Sequence, residues 1–301
     1  MKQRKTPVPH PASVLRLALA QIEPILGDIE ANVATHLRTA REARRLGADL
    51  LVFPELSLTG YRLQDLVSEV AVPLDRPPVL RPLIEASRRI PMVVGLVEES
   101  EGHQYYNSAV YLEAGRIRHV HRKVYLPTYG MFEEGRYFAA GDSLRSFRSR
   151  AGRFGILICE DLWHASAPLV LAQDGADYLL VISNSPTQGV DSSDALASQN
   201  TWNDLLSVTA RLQTVYVAWV NRIGFEDGIN FGGASCVVDP FGRVTSRAGL
   251  LESELLICDL DRAVLRRART SYPLLRDERL PLLSREIRRL IERPSTTRRP
   301  G

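Results

Sequence analysis

Short apolar runs rich in Val, Leu and Ile alternate along the chain with stretches of helical periodicity and turn signals. VLRLALAQIE (14–23) reads as a strand, NVATHLRTAREARRLGA (32–48) as a helix stopping near a Gly, and DLLVFPE (49–55) as a buried strand. Residues 78–90 read as a helix. MVVGLVEE (92–99), YNSAVYLE (106–113) and RIRHVHRK (116–123) then follow as three strands, the last two joined by an Ala-Gly turn. The order repeats. RFGILICE (153–160) is a strand, 166–175 a helix, DYLLVISNS (177–185) a strand and 192–213 a helix. VYVAWVNRIG (215–224), ASCVVDP (234–240) and ELLICDLD (254–261) are strands, and a last helix covers about 283–292. Each half is thus strand–helix–strand–helix followed by consecutive strands. That order predicts an α/β fold of two mixed sheets packed face to face with helices outside. No linker or low-complexity stretch divides residues 14–301, which read as one domain. The basic, Pro-rich lead-in, 1–13, is expected to be disordered.

Composition narrows the function classes. An apolar fraction of 45% suits a globular chain with a sizeable core, and no run of about 18 apolar residues implies a membrane span. The N-terminus lacks the apolar stretch of a secretory signal. Cys159, Cys236 and Cys258 are too few and scattered for a disulfide framework, and their spacing does not suit zinc. A reducing cytoplasm is the expected compartment. Arg-rich segments near the C-terminal end carry interspersed acids and no aromatic run, so they read as a solvated helical face, not a nucleic-acid surface. Of the 38 basic residues only Lys2, Lys5 and Lys123 are Lys, and the first two lie in the lead-in. A compositional bias explains most of this, yet Arg does not replace a compact point charge. Lys123 is therefore the lysine to watch.

Three polar residues stand at the carboxyl ends of predicted buried strands: Glu55 after LLVFP, Lys123 after HVHR and Cys159 after GILI. In α/β sheets ligands collect at such ends. A thiol must lose its proton to attack, a carboxylate accepts that proton, and an ammonium opposes the oxyanion that forms. Singly, each residue has an ordinary explanation as a small hydrophobe, an exposed strand end or a surface charge. Their joint placement carries the argument. His121 precedes Lys123 by two positions on one strand face and reads as a core or surface histidine, while His164, five residues past Cys159, is expected near the mouth of the site. No phosphate-binding Gly-rich motif occurs.

VFPELSLTGY, HRKVYLPTYGMFEEGRYF, GILICEDLW and NFGGASCVVDPFG, in that order, resemble the blocks of the nitrilase superfamily, thiol hydrolases of non-peptide C–N bonds. The resemblance implies a four-layer αββα sandwich and a Glu-Lys-Cys triad carried by Glu55, Lys123 and Cys159. It also implies a second, substrate-orienting glutamate, Glu134, with Glu133 as the other register, and Glu160 contributing its backbone N–H to the oxyanion site. No metal or organic cofactor is required, and the family habit is homodimers or larger homo-oligomers around a small-molecule substrate.

Within the superfamily, ICEDLW and HRKVYLPTYGMFEEGRYF look most like the glutaminase domain of glutamine-dependent NAD synthetases, where residues matching Tyr61, Tyr129 and Ser185 line the glutamine site. Trp163 is expected to border the same pocket. Two departures stand out. The chain reaches residue 301 without an SGGxDS-type ATP-binding motif, so it is expected to be free-standing. ISNSPTQGVDSSDA also lacks the arginine expected to grip the glutamine α-carboxylate; no Arg occurs from 183 through 210. An unpaired buried carboxylate is costly. The expectation is therefore an amidase for a substrate lacking that carboxylate, unless Arg222 or another distant Arg substitutes. A glutaminase feeding a separate synthetase, a carbamoyl-amine hydrolase, a nitrilase and an inactive partner subunit are the alternatives.

Overall fold

The first helix shows how local sequence sets an element. Asp28 caps it by accepting from the Ala31 N–H at 3.0 Å, Glu30 opens it, and Arg44 and Arg45 close it, matching side-chain charge to the helix dipole at both ends. The structure is a computed structural model describing residues 14–75, 77–187 and 197–293. The lead-in lies outside those residues. In chain order the first half comprises β1 (Val14–Gln21), α1 (Ile29–Arg45), β2 (Leu50–Val52), α2 (Val67–Val70), β3 (Val72–Pro73), α3 (Arg81–Ala86), β4 (Met92–Glu99), β5 (Tyr105–Glu113) and β6 (Arg116–Arg122). Next come α4 (Glu134–Tyr137), β7 (Phe147–Arg148), β8 (Arg153–Ile158), α5 (Ser166–Gln173), β9 (Tyr178–Ser183), α6 (Ala197–Gln213) and β10 (Tyr216–Asn221). The chain continues with β11 (Ile223–Glu226), β12 (Ile229–Gly232), β13 (Cys236–Val238), β14 (Val244–Arg247), β15 (Glu254–Asp261), α7 (Arg262–Ser271), α8 (Leu274–Asp277) and α9 (Leu280–Ile291).

One sheet runs β15-β1-β2-β4-β5-β6 with β3 on the end of β4, and the other runs β14-β13-β10-β9-β8-β7. The centre of each is parallel and its flanks antiparallel. Leu17, Leu19, Val52, Val93 and Tyr111 of the first sheet pack against Ile156, Ile158, Leu180, Ile182 and Ala218 of the second. On the outer faces, Val33, Ala40 and Ala43 of α1 and Leu83 of α3 cover the first sheet. Leu171 of α5 and Trp202, Leu206 and Ala210 of α6 cover the second. The result is an α/β four-layer sandwich. Both faces of each sheet are buried, which is why the central strands read as continuous apolar runs. Among the described residues no helix is long and apolar enough to cross a membrane.

Several elements depart from the sequence pattern. The strand expected over 49–55 ends at Val52. Phe53–Glu55 then leave the sheet and cross β4 at Gly95, where a Cβ would collide with the backbone of Pro54 and Leu56. The strand expected over 215–224 breaks at Arg222 into β10 and β11, and β11 pairs with β12 in a separate hairpin. The helix expected over 78–90 keeps only α3, and the part of the 192–213 helix before 197 lies outside the described residues. The turn α4 and the helix α7 have too short or too polar a pattern to stand out.

His36 on α1 is fully buried, its Nδ1 2.7 Å from Asn32 O and its Nε2 3.0 Å from Ser57 Oγ, so the partners place the neutral ring's proton on Nδ1. Burial holds its pKa down to about 4. A depressed pKa gives stability that is present above the unfolded value near 6.5 and lost as pH falls toward 4. The full effect is about 3 kcal/mol. Urea unfolding of the wild type is therefore expected to weaken steeply between pH 6.5 and 4, and less steeply in His36→Gln. Equal pH slopes in the two proteins would remove this account.

Candidate active site

The residues that follow β2, β6 and β8 converge at one end of the sandwich. Lys123, one residue past β6, is fully buried; its Nζ donates to Glu55 Oε1 at 2.8 Å and to Glu134 Oε1 at 2.7 Å. Its backbone is held by Asn107 O and by the Gly141 N–H. Glu55 also accepts from Asn107 Nδ2 on Oε1 and from the Asn184 N–H on Oε2, both at 2.7 Å. Its carboxylate is thereby fixed between the two sheets. Glu134 opens α4 and takes the Tyr61 hydroxyl on Oε1 at 2.8 Å. Its Oε2 is buried and has no hydrogen-bond partner among the described residues, which leaves an acceptor for a ligand N–H. Glu133 is exposed, so Glu134 is the glutamate that enters the cluster.

Cys159 follows β8 at the start of a 3-10 turn, Cys159–Trp163, with φ +46°, an unusual value for a non-glycine residue and a feature that recurs at functional turns. It is half-buried, whereas Cys236 and Cys258 are buried. Ser183 Oγ donates to its Sγ at 3.4 Å. The turn is held by Asp161. That buried carboxylate accepts from the Ile158 N–H at 2.9 Å, from the Val124 and Tyr125 N–H groups at 3.0 Å each, and meets His121 Nε2 at 2.9 Å. One side chain therefore ties the segment after Lys123 to the segment bearing Cys159. His121 serves this clamp.

Electrostatics follow from burial and charge. Burial, reinforced by Glu55, pushes the Cys159 thiol well above its ordinary value, against the pull of Lys123 and Ser183. Both effects favour the protonated thiol over the thiolate. Burial alone would lower Lys123, but Glu134 and Glu55 outweigh it and hold the ammonium charged. Burial pushes Glu134 up to about 7, opposed first by Lys123. Asp161 stays low despite its burial because His121 and three backbone N–H groups favour its charged form.

The expected pocket residues divide. Tyr61 touches the cluster directly. Tyr129, more than half exposed, donates to Glu160 Oε2 at 2.8 Å. His164 stacks on Tyr125 at 3.6 Å and lies 3.8 Å from Glu160. Trp163 packs edge-on against Trp202 at 5.7 Å, and Ser185 Oγ accepts from the Trp202 indole at 2.7 Å, so these two share a different wall. Arg222 is fully buried and bound to Glu226. Sequence reading missed Asn107, Asp161, Ser183 and Asn184 as partners. A polar residue inside an apolar strand run, as Asn107 is in YYNSAVY, was the available signal. Among the described residues no group of His, Cys, Asp and Glu is placed to hold a metal ion.

This fold and cluster belong with a known class. The chain is a member of the carbon–nitrogen hydrolase family, whose family model matches residues 16–270. Among individual relatives, it is 35% identical over 252 residues to the glutamine-dependent NAD(+) synthetase of Thermotoga maritima, covering 82% of this chain and 42% of that protein. The chain thus spans less than half the length of that relative. It is 33% identical over 273 residues to an (R)-stereoselective amidase of Pseudomonas sp., covering 89% of this chain and 93% of that one. Among solved structures, the amidase of Nesterenkonia sp. AN1, from the nitrilase superfamily, superposes with a TM-score of 0.75 at 26% identity, over 90% of this chain and 96% of that one. A mutant of that amidase carries the acetamide moiety of fluoroacetamide at its active site cysteine.

Proposed function

We propose that this chain is a thiol amidase, cleaving non-peptide C–N bonds through an acyl thioester on Cys159. The observation that carries the reading is one buried ammonium, Lys123, shared by two carboxylates next to the half-buried cysteine. In this reaction Glu55 takes the thiol proton as sulfur attacks the amide carbon. Lys123 and the Glu160 N–H oppose the oxyanion, while Glu134 accepts from the amide N–H with its free oxygen. Glu55 returns the proton to the departing ammonia or amine. It then takes a proton from water, whose hydroxide displaces the thiolate from the acyl group and releases the carboxylic acid, and Glu55 hands that proton to the sulfur, restoring the Cys159 thiol and its own carboxylate. No cofactor enters these steps.

The preferred substrate in this reading is an amide without a free α-carboxylate. Glu55, Glu134 and Glu160 surround the Lys123 ammonium, and Arg222, the arginine that the sequence offers to grip such a group, is committed to Glu226. A charge-assisted contact is worth about 1.5–3 kcal/mol, so its lack costs glutamine on the order of ten- to a hundredfold. The second reading, a glutaminase that supplies ammonia to an NAD synthetase, is favoured by the synthetase relatives. Comparing kcat/KM for glutamine and for a neutral amide of similar length separates them. A glutamine preference that disappears in Arg222→Ala would establish the second reading and end the first.

A further inference from the structure

The segment NRIGFEDGINF (221–231) lies outside the three blocks that carry Glu55, Lys123 and Cys159, yet it grips the loop that carries Tyr61. Arg222 Nη1 donates to Glu226 Oε2 at 2.6 Å, its Nε donates to Ile223 O, and its guanidinium lies 4.4 Å over the Phe231 ring. Glu226 Oε1 accepts two successive backbone N–H groups, that of Tyr61 at 2.8 Å and that of Arg62. The Phe231 ring meets the Tyr61 ring edge-to-face at 6.2 Å. Just before, Gly60 at φ +82° brings the loop so close that a Cβ would press on Leu26 and on Glu226 Oε2. The β11–β12 hairpin thus holds Tyr61 by backbone and by ring. The tyrosine hydroxyl then reaches Glu134 Oε1, the oxygen that also binds Lys123 Nζ.

We infer that Arg222 and Glu226 are positioning residues that set Tyr61, and through its hydroxyl Glu134, against the amide of the substrate. This rests on the amidase reading of the site. A buried ion pair by itself is weak support for a fold, and an apolar pair of similar volume often does as well. Two adjacent N–H groups on one oxygen, by contrast, require an acceptor at position 226 with free lone pairs. Among the hydrogen bonds of the described residues, Glu226 side-chain oxygens reach the proposed site through the Tyr61 N–H, so the loss of that acceptor is expected to act on turnover through Tyr61.

The test compares two paired replacements. Arg222→Met with Glu226→Met keeps apolar volume and removes the acceptor; Arg222→Gln with Glu226→Gln removes the charges and keeps it. The Met pair is expected to lose on the order of a hundredfold in kcat/KM for a neutral amide while melting as a folded protein, because small displacements in a catalytic site have costs of that size. The Gln pair is expected to stay within about threefold of wild type. In a Tyr61→Phe background the Met pair is expected to add less than about threefold, since residues acting through one another are not additive. Glu134 is faced by Lys123, Tyr61, Glu55 and Cys159, and the Tyr61 hydrogen bond favours its ionised form. Freeing Tyr61 should therefore also move the acid limb of kcat/KM to higher pH, which partial unfolding does not do. Should the Met pair not fold, Phe231→Leu removes the ring contacts to Tyr61 and Arg222, leaves the Glu226 hydrogen bonds, and should show the same non-additivity with Tyr61→Phe. Equal losses in both backgrounds, or a Gln pair as damaged as the Met pair, would overturn the inference alone. A wild type that never acylates Cys159 would overturn the amidase reading beneath it.

Discussion

Cys159→Ala is expected to reduce turnover of a neutral amide by several orders of magnitude, to background, because Cys159 is the nucleophile in the proposed reaction. The folded state should lose only ~1 kcal/mol, since a single sulfur leaves a half-buried position. Ammonia release and thermal melting, measured on the same preparation, separate the two effects. Acid quenching of the wild type during turnover should trap the thioester, and peptide mapping by mass spectrometry should find the acyl group on Cys159. Cys236 and Cys258 are buried in the cores beside the sheets. An adduct on either of them, or full activity in Cys159→Ala, would defeat the assignment.

Lys123→Arg should be nearly as damaging to turnover as Lys123→Ala, with losses on the order of a thousandfold. The ammonium occupies a fully buried position between two carboxylate oxygens at 2.7 and 2.8 Å. A guanidinium is planar and broader and does not put one compact charge there. The two variants should differ in stability instead. Lys123→Ala leaves Glu55 and Glu134 buried without their cation, a loss of about 3–5 kcal/mol, whereas Lys123→Arg keeps a positive charge. Turnover at fixed folded fraction, set by the melting curve, is the comparison that counts. An Arg variant with near wild-type turnover would mean that positive charge alone suffices.

The α/β character and its halves were legible in the chain because both faces of the central strands are buried, so Val, Leu and Ile run on without interruption and helices fall between. Glu55, Lys123 and Cys159 were legible for a related reason: each is a polar residue where such a run stops. Position within a run is local information, and it survives in one dimension.

What joins those residues is not local. Glu55 receives the Asn184 N–H from a strand end 129 positions away, and Glu226 holds the Tyr61 N–H across 165. No periodicity marks such pairs, because they are made only when the two sheets pack and bring strand ends together. The same holds for Asp161, whose neighbours in sequence give no sign that it binds the backbone after Lys123; Glu134, by contrast, was preferred to Glu133 on the family resemblance, and it is the one of the two that turns inward. Arg222 read as a mobile candidate for the pocket because it follows an apolar strand. Packing instead put Glu226 and Phe231 against it and buried the group entirely. The sequence by itself determined the central strands, their order along the chain and where polar residues emerge from them. The tertiary structure alone decided which side chains share a proton, a charge or an oxygen, since those are contacts at about 3 Å between segments that the chain keeps far apart.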